Sequence, residues 1–212
     1  MSRKIALPLL VGNMFQQLYN MVDSIVVGRF VGSTALAAVG SNGALINLLV
    51  NLFVGLSLGA NVVAARCFGA KDDEGVRNTV QTSVTLGLVS GLFLAVVGIF
   101  AARGLLELMS CPEDVIDLST LYLKIYFIGM PMTMLYNFSS ALLRAVGDTR
   151  GPAVIIASGC LVNVVLDIIF VAVLHMEALG CGIAVALTIC SNATMIVIRM
   201  MHAPGAWRLS LI

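Results

Sequence analysis

Apolar residues run along this chain in six blocks, approximately residues 5–30, 44–67, 78–102, 119–144, 152–175 and 178–201. Each is about as long as a helix needs to cross the hydrocarbon core of a bilayer, roughly 20 residues. The punctuation between them suits helices meeting short loops. Gly32-Ser33 and then Gly40-Ser41-Asn42-Gly43 interrupt the charge-free run from Phe30 to Ala65 and divide it into two spans. Gly69 can stop the second helix, and Asp72, Asp73 and Glu74 suit the positive amino end of the third. Ser110-Cys111-Pro112-Glu113-Asp114 reads as a helix start. The fourth helix should therefore be long, beginning as an amphipathic segment at the outer interface and kinking at Pro131 within the membrane. Gly147-Asp148-Thr149-Arg150-Gly151-Pro152 is a turn that launches the fifth helix, and His175-Met176-Glu177 is a short connection to the sixth. The pattern predicts an all-α integral membrane protein with six transmembrane helices in residues 1–202. Residues 203–212, with Ala203-Pro204-Gly205, read as the start of a linker.

Composition supports the membrane reading and adds a direction. The chain is 59% hydrophobic and 11% charged, with a mean hydropathy of +1.02, whereas soluble domains are about a quarter charged. A net charge of +1 conceals an asymmetry once the blocks are threaded back and forth. Arg3, Lys4, Arg66, Lys71, Arg77, Arg144, Arg150, Arg199 and Arg208 fall on one side, against Arg29, Arg103 and Lys124 on the other. That bias predicts a multi-pass protein of the cell membrane with both ends of this chain in the cytoplasm. Ser2-Arg3-Lys4 before an apolar run resembles a signal peptide, but the run is too long for an h-region and contains Asp23, so it reads as a retained first helix. The five cysteines show neither CxxC nor His-paired spacing, which argues against a disulfide framework or a metal site. No phosphate loop, HExxH or nucleophile elbow is present, so neither an enzyme nor a cofactor is expected, and nothing points to nucleic acid.

Two carboxylates stand out against this background, because Asp23 and Asp167 each lie inside a charge-free apolar block. A carboxyl group near the bilayer centre costs roughly 2.5 to 3.5 kcal/mol on insertion scales, so such residues default to a functional hypothesis. Asn13, Gln16, Asn20 and Asp23 are spaced 3, 4 and 3 and share one narrow helix face, with Tyr19 just beside it. Asn163 and Asp167 stand at i and i+4 and project from one face of the fifth helix. If the two helices meet, these groups surround a small oxygen-rich site. A carboxyl group shut away from water holds its proton more readily, so the site can exchange H+ as water access alternates. Carboxylate and amide oxygens can equally hold Na+, a hard cation. The plainer alternative is that each acid ties helices together. The fourth block carries Thr133, Asn137, Ser140 and Arg144 at spacings 4, 3 and 4, with Tyr136 alongside. This stripe can line a substrate path or bond neighbouring helices, and the same choice applies to Asn47, Asn51 and Asn61. Lys124 is expected to snorkel to an interface. Gly55 with Gly59, Gly87 with Gly91, and Gly182 with Ala186 offer small-residue faces for close helix packing.

Four motifs in order resemble the multidrug and toxic compound extrusion (MATE) family. They are Leu7-Pro8-Leu9-Leu10 with Asp23 and Gly28-Arg29-Phe30-Val31-Gly32; Gly59-Ala60-Asn61 through Arg66 to Gly69-Ala70-Lys71; Leu142-Leu143-Arg144-Ala145-Val146-Gly147-Asp148-Thr149-Arg150 before Pro152; and Asn163-Val164-Val165-Leu166-Asp167. The resemblance implies a secondary exporter in which twelve helices form two six-helix lobes around a cleft, driven by H+ or Na+. It implies that Asp23 is the coupling carboxylate with Asn163 and Asp167 as partners. It further implies that Gln16, Tyr19 and Tyr136 line the substrate cavity, that Thr188 matches a sixth-helix threonine there, and that Pro8 lets the first helix bend; Asn20 and Asn137, on the polar faces already described, are expected to join that cavity. Ile168 stands where the family often has proline after the fifth-helix Asp, which leaves a bend there without its usual cause. The length matches the amino-terminal lobe alone, so the expectation is a piece of a longer transporter that lacks its second six-helix lobe.

The reading that follows is a cation-coupled antiporter exporting amphipathic or cationic organic compounds such as drugs. A flippase for lipid-linked oligosaccharides would want a cationic cavity for pyrophosphate. A non-transporting membrane scaffold would use the small-residue faces for a partner.

Overall fold

In lipid every backbone polar group has to be satisfied within its own segment, and the computed structural model meets that demand with helices throughout. It describes residues 33–108, 113, 116–174 and 177–202, together with the isolated positions 14, 17, 18 and 21. The elements are α1 (Ser33–Gly69), α2 (Asp73–Leu108), α3 (Ile116–Ile128), α4 (Met130–Ala145), α5 (Arg150–Asp167), a π-helix (Ile168–Val173) and α6 (Glu177–Met201). Among the described residues four helical segments, Val50–Gly69, Asp73–Leu108, Arg150–Val171 and Leu179–Met201, are long and apolar enough to cross a membrane. Of the six expected spans, the fourth is the broken pair α3 and α4, and the first lies outside the described residues apart from those isolated positions.

One expected break does not occur. α1 runs unbroken through Gly40-Ser41-Asn42-Gly43, so these residues do not separate two spans. A glycine inside a helix costs about 1 kcal/mol, whereas each backbone group left unsatisfied in hydrocarbon costs several, so the helix continues. It ends at Gly69 as anticipated, but the left-handed residue of the turn is Lys71, with φ 58°. The Asp72 N–H then reaches back to the Cys67 carbonyl at 3.0 Å. Asp72 also caps α2, its Oδ1 accepting the Gly75 N–H at 2.9 Å, with Asp73 and Glu74 in the first turn.

Where the fourth span is expected to kink, the helix is interrupted at the single residue Gly129, which keeps right-handed dihedrals, with Pro131 in the first turn of α4. Thr133 reinforces the restart by donating both its N–H and its hydroxyl to the Gly129 carbonyl, at 3.0 and 3.2 Å. α2 accommodates the broken helix with glycines. A methyl group on Gly91 would lie 2.5 Å from Cα of Pro131, one on Gly87 would press on Phe138 at 3.2 Å, and one on Gly98 would overlap the Phe127 ring. Gly55 and Gly59 have no such neighbour, and Gly182 makes only ordinary contacts with Ile125 and Tyr122.

The interior is layered along the bundle axis. One apolar cluster joins Leu94, Leu106, Leu123, Phe127, Met134 and Val185. A second, at the opposite end, joins Val76, Val80, Leu143, Ile155, Ile196 and Met200. Of the buried polar residues, Ser83, Ser90, Ser139, Ser140, Asn163, Asp167 and Thr188 lie along α2, α4, α5 and α6 between members of the two clusters, whereas Ser57, Ser119, Thr120 and Thr149 are buried elsewhere. Buried polar groups are thus concentrated in a layer between the two apolar clusters.

Candidate functional site

Among the described residues the polar layer carries its one charged group on α5. Asn163 and Asp167, one turn apart, are both 0% exposed. Neither Oδ1 nor Nδ2 of Asn163 has a hydrogen-bond partner, and Asp167 is engaged by an interaction within the chain. A buried polar group left without a partner is costly, and native proteins retain few of them. Directly after Asp167 the backbone changes register. The Ile168 N–H is shared between the Val164 and Val165 carbonyls, and the Leu174 N–H bonds the Ile169 carbonyl at 2.9 Å, the i to i−5 pattern of a π-helix. Single π turns inside helices concentrate at functional sites. The irregularity expected to be lost with Ile168 is therefore supplied by another route, and nothing in Ile168-Ile169-Phe170-Val171-Ala172-Val173 announced it.

α6 runs back alongside α5, and the pairing of Gly159 with Asn192 sets their register: a methyl group on Gly159 would overlap the Asn192 carboxamide. This register puts Thr188, one turn from Asn192, level with Asn163. Thr188 is buried and donates its hydroxyl to the Ala184 carbonyl at 2.8 Å. The Asn192 carbonyl oxygen is enclosed and has no partner. At the end of the bundle marked by the α4–α5 turn, Arg199 Nε and Nη2 both meet Asp148 Oδ2 at 2.8 Å, over Gly151. Asp148 Oδ1 takes the Gly151 N–H at 3.0 Å.

The fourth-span stripe divides between roles. The Tyr136 hydroxyl donates to the Pro152 carbonyl at 3.3 Å and so ties α4 to α5. Asn137 is half-buried, Ser140 buried and Arg144 exposed. Asn61 donates Nδ2 to the Ala141 carbonyl at 2.6 Å, fastening α1 to α4, while Asn51 is exposed. Pro8, Asn13, Gln16, Tyr19, Asn20 and Asp23 lie outside the described residues. Asn163 and Asp167 thus stand one turn apart on α5, with Thr188 level with Asn163 on α6 and Asn192, absent from the polar faces read in the sequence, one turn further along α6. The signal for Asn192 was available: Thr188 and Asn192 stand at i and i+4. Among the described residues no three His, Cys, Asp or Glu side chains converge on a point.

Residues 8–169 match the MatE family model. The chain belongs to the MatE family. It is 32% identical over 195 residues to the probable multidrug resistance protein YoeA of Bacillus subtilis, an alignment covering 91% of this chain and 42% of that relative. Among solved structures it superposes on a MATE protein in the bent conformation with a TM-score of 0.88 at 27% identity, over 94% of this chain and 44% of the other. It also superposes on an outward-facing multidrug resistance MATE transporter of the MOP superfamily with a TM-score of 0.91 at 26% identity, over 98% and 46%. This MatE chain therefore spans less than half the length of these relatives, and its apolar helices are those of a membrane protein.

Proposed function

We propose that this MatE chain forms the amino-terminal six-helix lobe, residues 1–202, of a two-lobe antiporter in the cell membrane, with both of its ends in the cytoplasm. The antiporter exchanges H+ or Na+ for amphipathic or cationic organic compounds, as multidrug transporters do. The observation that carries this reading is the pair Asn163 and Asp167, wholly buried in a polar layer between two apolar clusters. Intramembrane acids are expensive and mark ion pathways. Among the described residues Asp167 is the one buried charged side chain, which favours a cationic partner over the pyrophosphate of a lipid-linked sugar.

In this mechanism Asp23, Asp167 and Asn163 make up the coupling site, and Gln16, Tyr19, Asn20, Tyr136, Asn137 and Thr188 border the substrate cavity. A carboxylate in a low-dielectric layer draws a cationic substrate, and H+ or Na+ bound at the same group cancels that attraction. The two occupants therefore exclude one another, which is the condition for antiport. Pro8 gives the first helix freedom to bend as occupancy changes. The test is Asp23→Asn and Asp167→Asn in the complete transporter, in vesicles with imposed proton or sodium gradients. Both variants should insert normally and lose gradient-driven export of a cationic dye, and undiminished export would overturn the assignment.

A further inference from the structure

We propose that Asn192 is an additional cation-contacting residue of this transporter, among the described residues the last unpartnered acceptor between the Asn163–Asp167 site and the Asp148–Arg199 end. The inference rests on the coupling site proposed above and extends it to a residue on α6. The Asn192 carbonyl oxygen is enclosed and lacks any hydrogen-bond donor, so it is an acceptor open to a small hard cation, either hydronium or Na+. A leucine would fill the same space without the penalty of an unsatisfied amide. Room has been made for the amide instead: Gly159, facing it on α5, lacks the Cβ that would overlap the carboxamide.

The neighbours along the α5–α6 seam give Asn192 its role. Toward the middle of the bundle stand the Asn163 carboxamide, also without a partner, the Asp167 carboxylate and the Thr188 hydroxyl oxygen. Thr188 has committed its proton to Ala184, so it too faces its surroundings as an acceptor. Each of these groups presents an oxygen, the donor atom a hard cation takes. In the other direction Ile155, Ile196 and Met200 are buried, the Ser158 hydroxyl is already committed to the Ile155 carbonyl and the Met195 sulfur, and the Asp148–Arg199 ion pair lies beyond them. A cation leaving toward that end meets in Asn192 the last acceptor without a partner, and one arriving meets it first. Asn192 thereby offers the cation a first oxygen contact on its way between that end and the carboxylate, which stands about two turns further along α5 from Gly159.

The test uses the complete transporter in vesicles, with efflux of a cationic dye measured against proton concentration in one arm and sodium concentration in the other. Asn192→Ala should raise the half-saturating cation concentration roughly tenfold in the arm that drives transport, while export at saturating cation stays near the parent level. The isosteric Asn192→Asp, which keeps an oxygen in place, should restore cation affinity. Gly159→Ala should reproduce the Asn192→Ala shift in the parent background and add nothing to it in the Asn192→Ala background. An unchanged half-saturating concentration in both arms for Asn192→Ala and Gly159→Ala, with Asp167→Asn still uncoupled, would show that Asn192 only packs and leave the coupling site standing. Coupled export retained by Asp167→Asn would overturn the coupling site and this proposal together. Thermal unfolding of each variant in detergent separates loss of cation affinity from loss of fold.

Discussion

A single absent Cβ decides how closely α2 and α3 approach. The methyl of Gly98→Ala would overlap three carbons of the Phe127 ring, which is itself 0% exposed and has nowhere to turn. Overpacking of this kind destabilises by about 1 to 3 kcal/mol. We expect a clear drop in the detergent unfolding midpoint for Gly98→Ala, largely recovered by adding Phe127→Leu. Gly55→Ala, where the new methyl meets nothing within 4 Å, should leave the midpoint unchanged, and equal losses at both positions would refute the packing account. The spacing of small residues made Gly87 and Gly91 legible in the sequence but gave Gly55 and Gly59 the same weight, because periodicity reports a face and not what the face meets. The same limit held in the site. Asn163 and Asp167 were legible as polar groups stranded among apolar ones, while Asn192 lay beside Ser191 and Thr194 in a stretch where polarity draws no attention.

Helix breaks were legible where the residue itself forces them. Pro131 cannot donate a backbone hydrogen bond, and α3 gives way to α4 beside it. The glycines at 40 and 43 only permit a break, and the membrane's demand for paired backbone groups carried α1 through them. The π-helix after Asp167 had no sequence signal, since Ile168–Val173 is uniformly apolar. It makes a testable statement about tolerance. A proline in a helix interior costs about 3 kcal/mol or more, through a lost hydrogen bond and a clash with the preceding turn. At residue 168 the ladder is already changing register and its N–H is shared between two carbonyls. Ile168→Pro should therefore lower the unfolding midpoint far less than Leu161→Pro, a substitution at an exposed position in regular α5, and should keep coupled export. Equal collapse of both variants would mean that the π segment is as rigid as the helix before it.

At the scale of the whole bundle, charge sets direction. The α1–α2 turn, the α4–α5 turn and the end of α6 share one end of the structure. That end carries Arg66, Lys71, Arg77, Arg144, Arg150 and Arg199, all exposed. The opposite end carries Arg103 and Lys124, with Arg103 spanning Glu107 and Asp117 at 3.2 and 3.1 Å. Lysine and arginine are retained on the cytoplasmic side during insertion, and acids weigh little in that choice. The Asp148–Arg199 end should therefore face the cytoplasm. Single cysteines placed at Lys71 and at Glu113, both exposed, in a background whose native cysteines are replaced, report the orientation directly. A membrane-impermeant maleimide added to intact cells should label Glu113→Cys at once and Lys71→Cys only after permeabilisation. The reverse order would invert the bundle. The step that Asn192 is proposed to guard would then be exchange with the outside, while the buried layer and its chemistry would stand as they are.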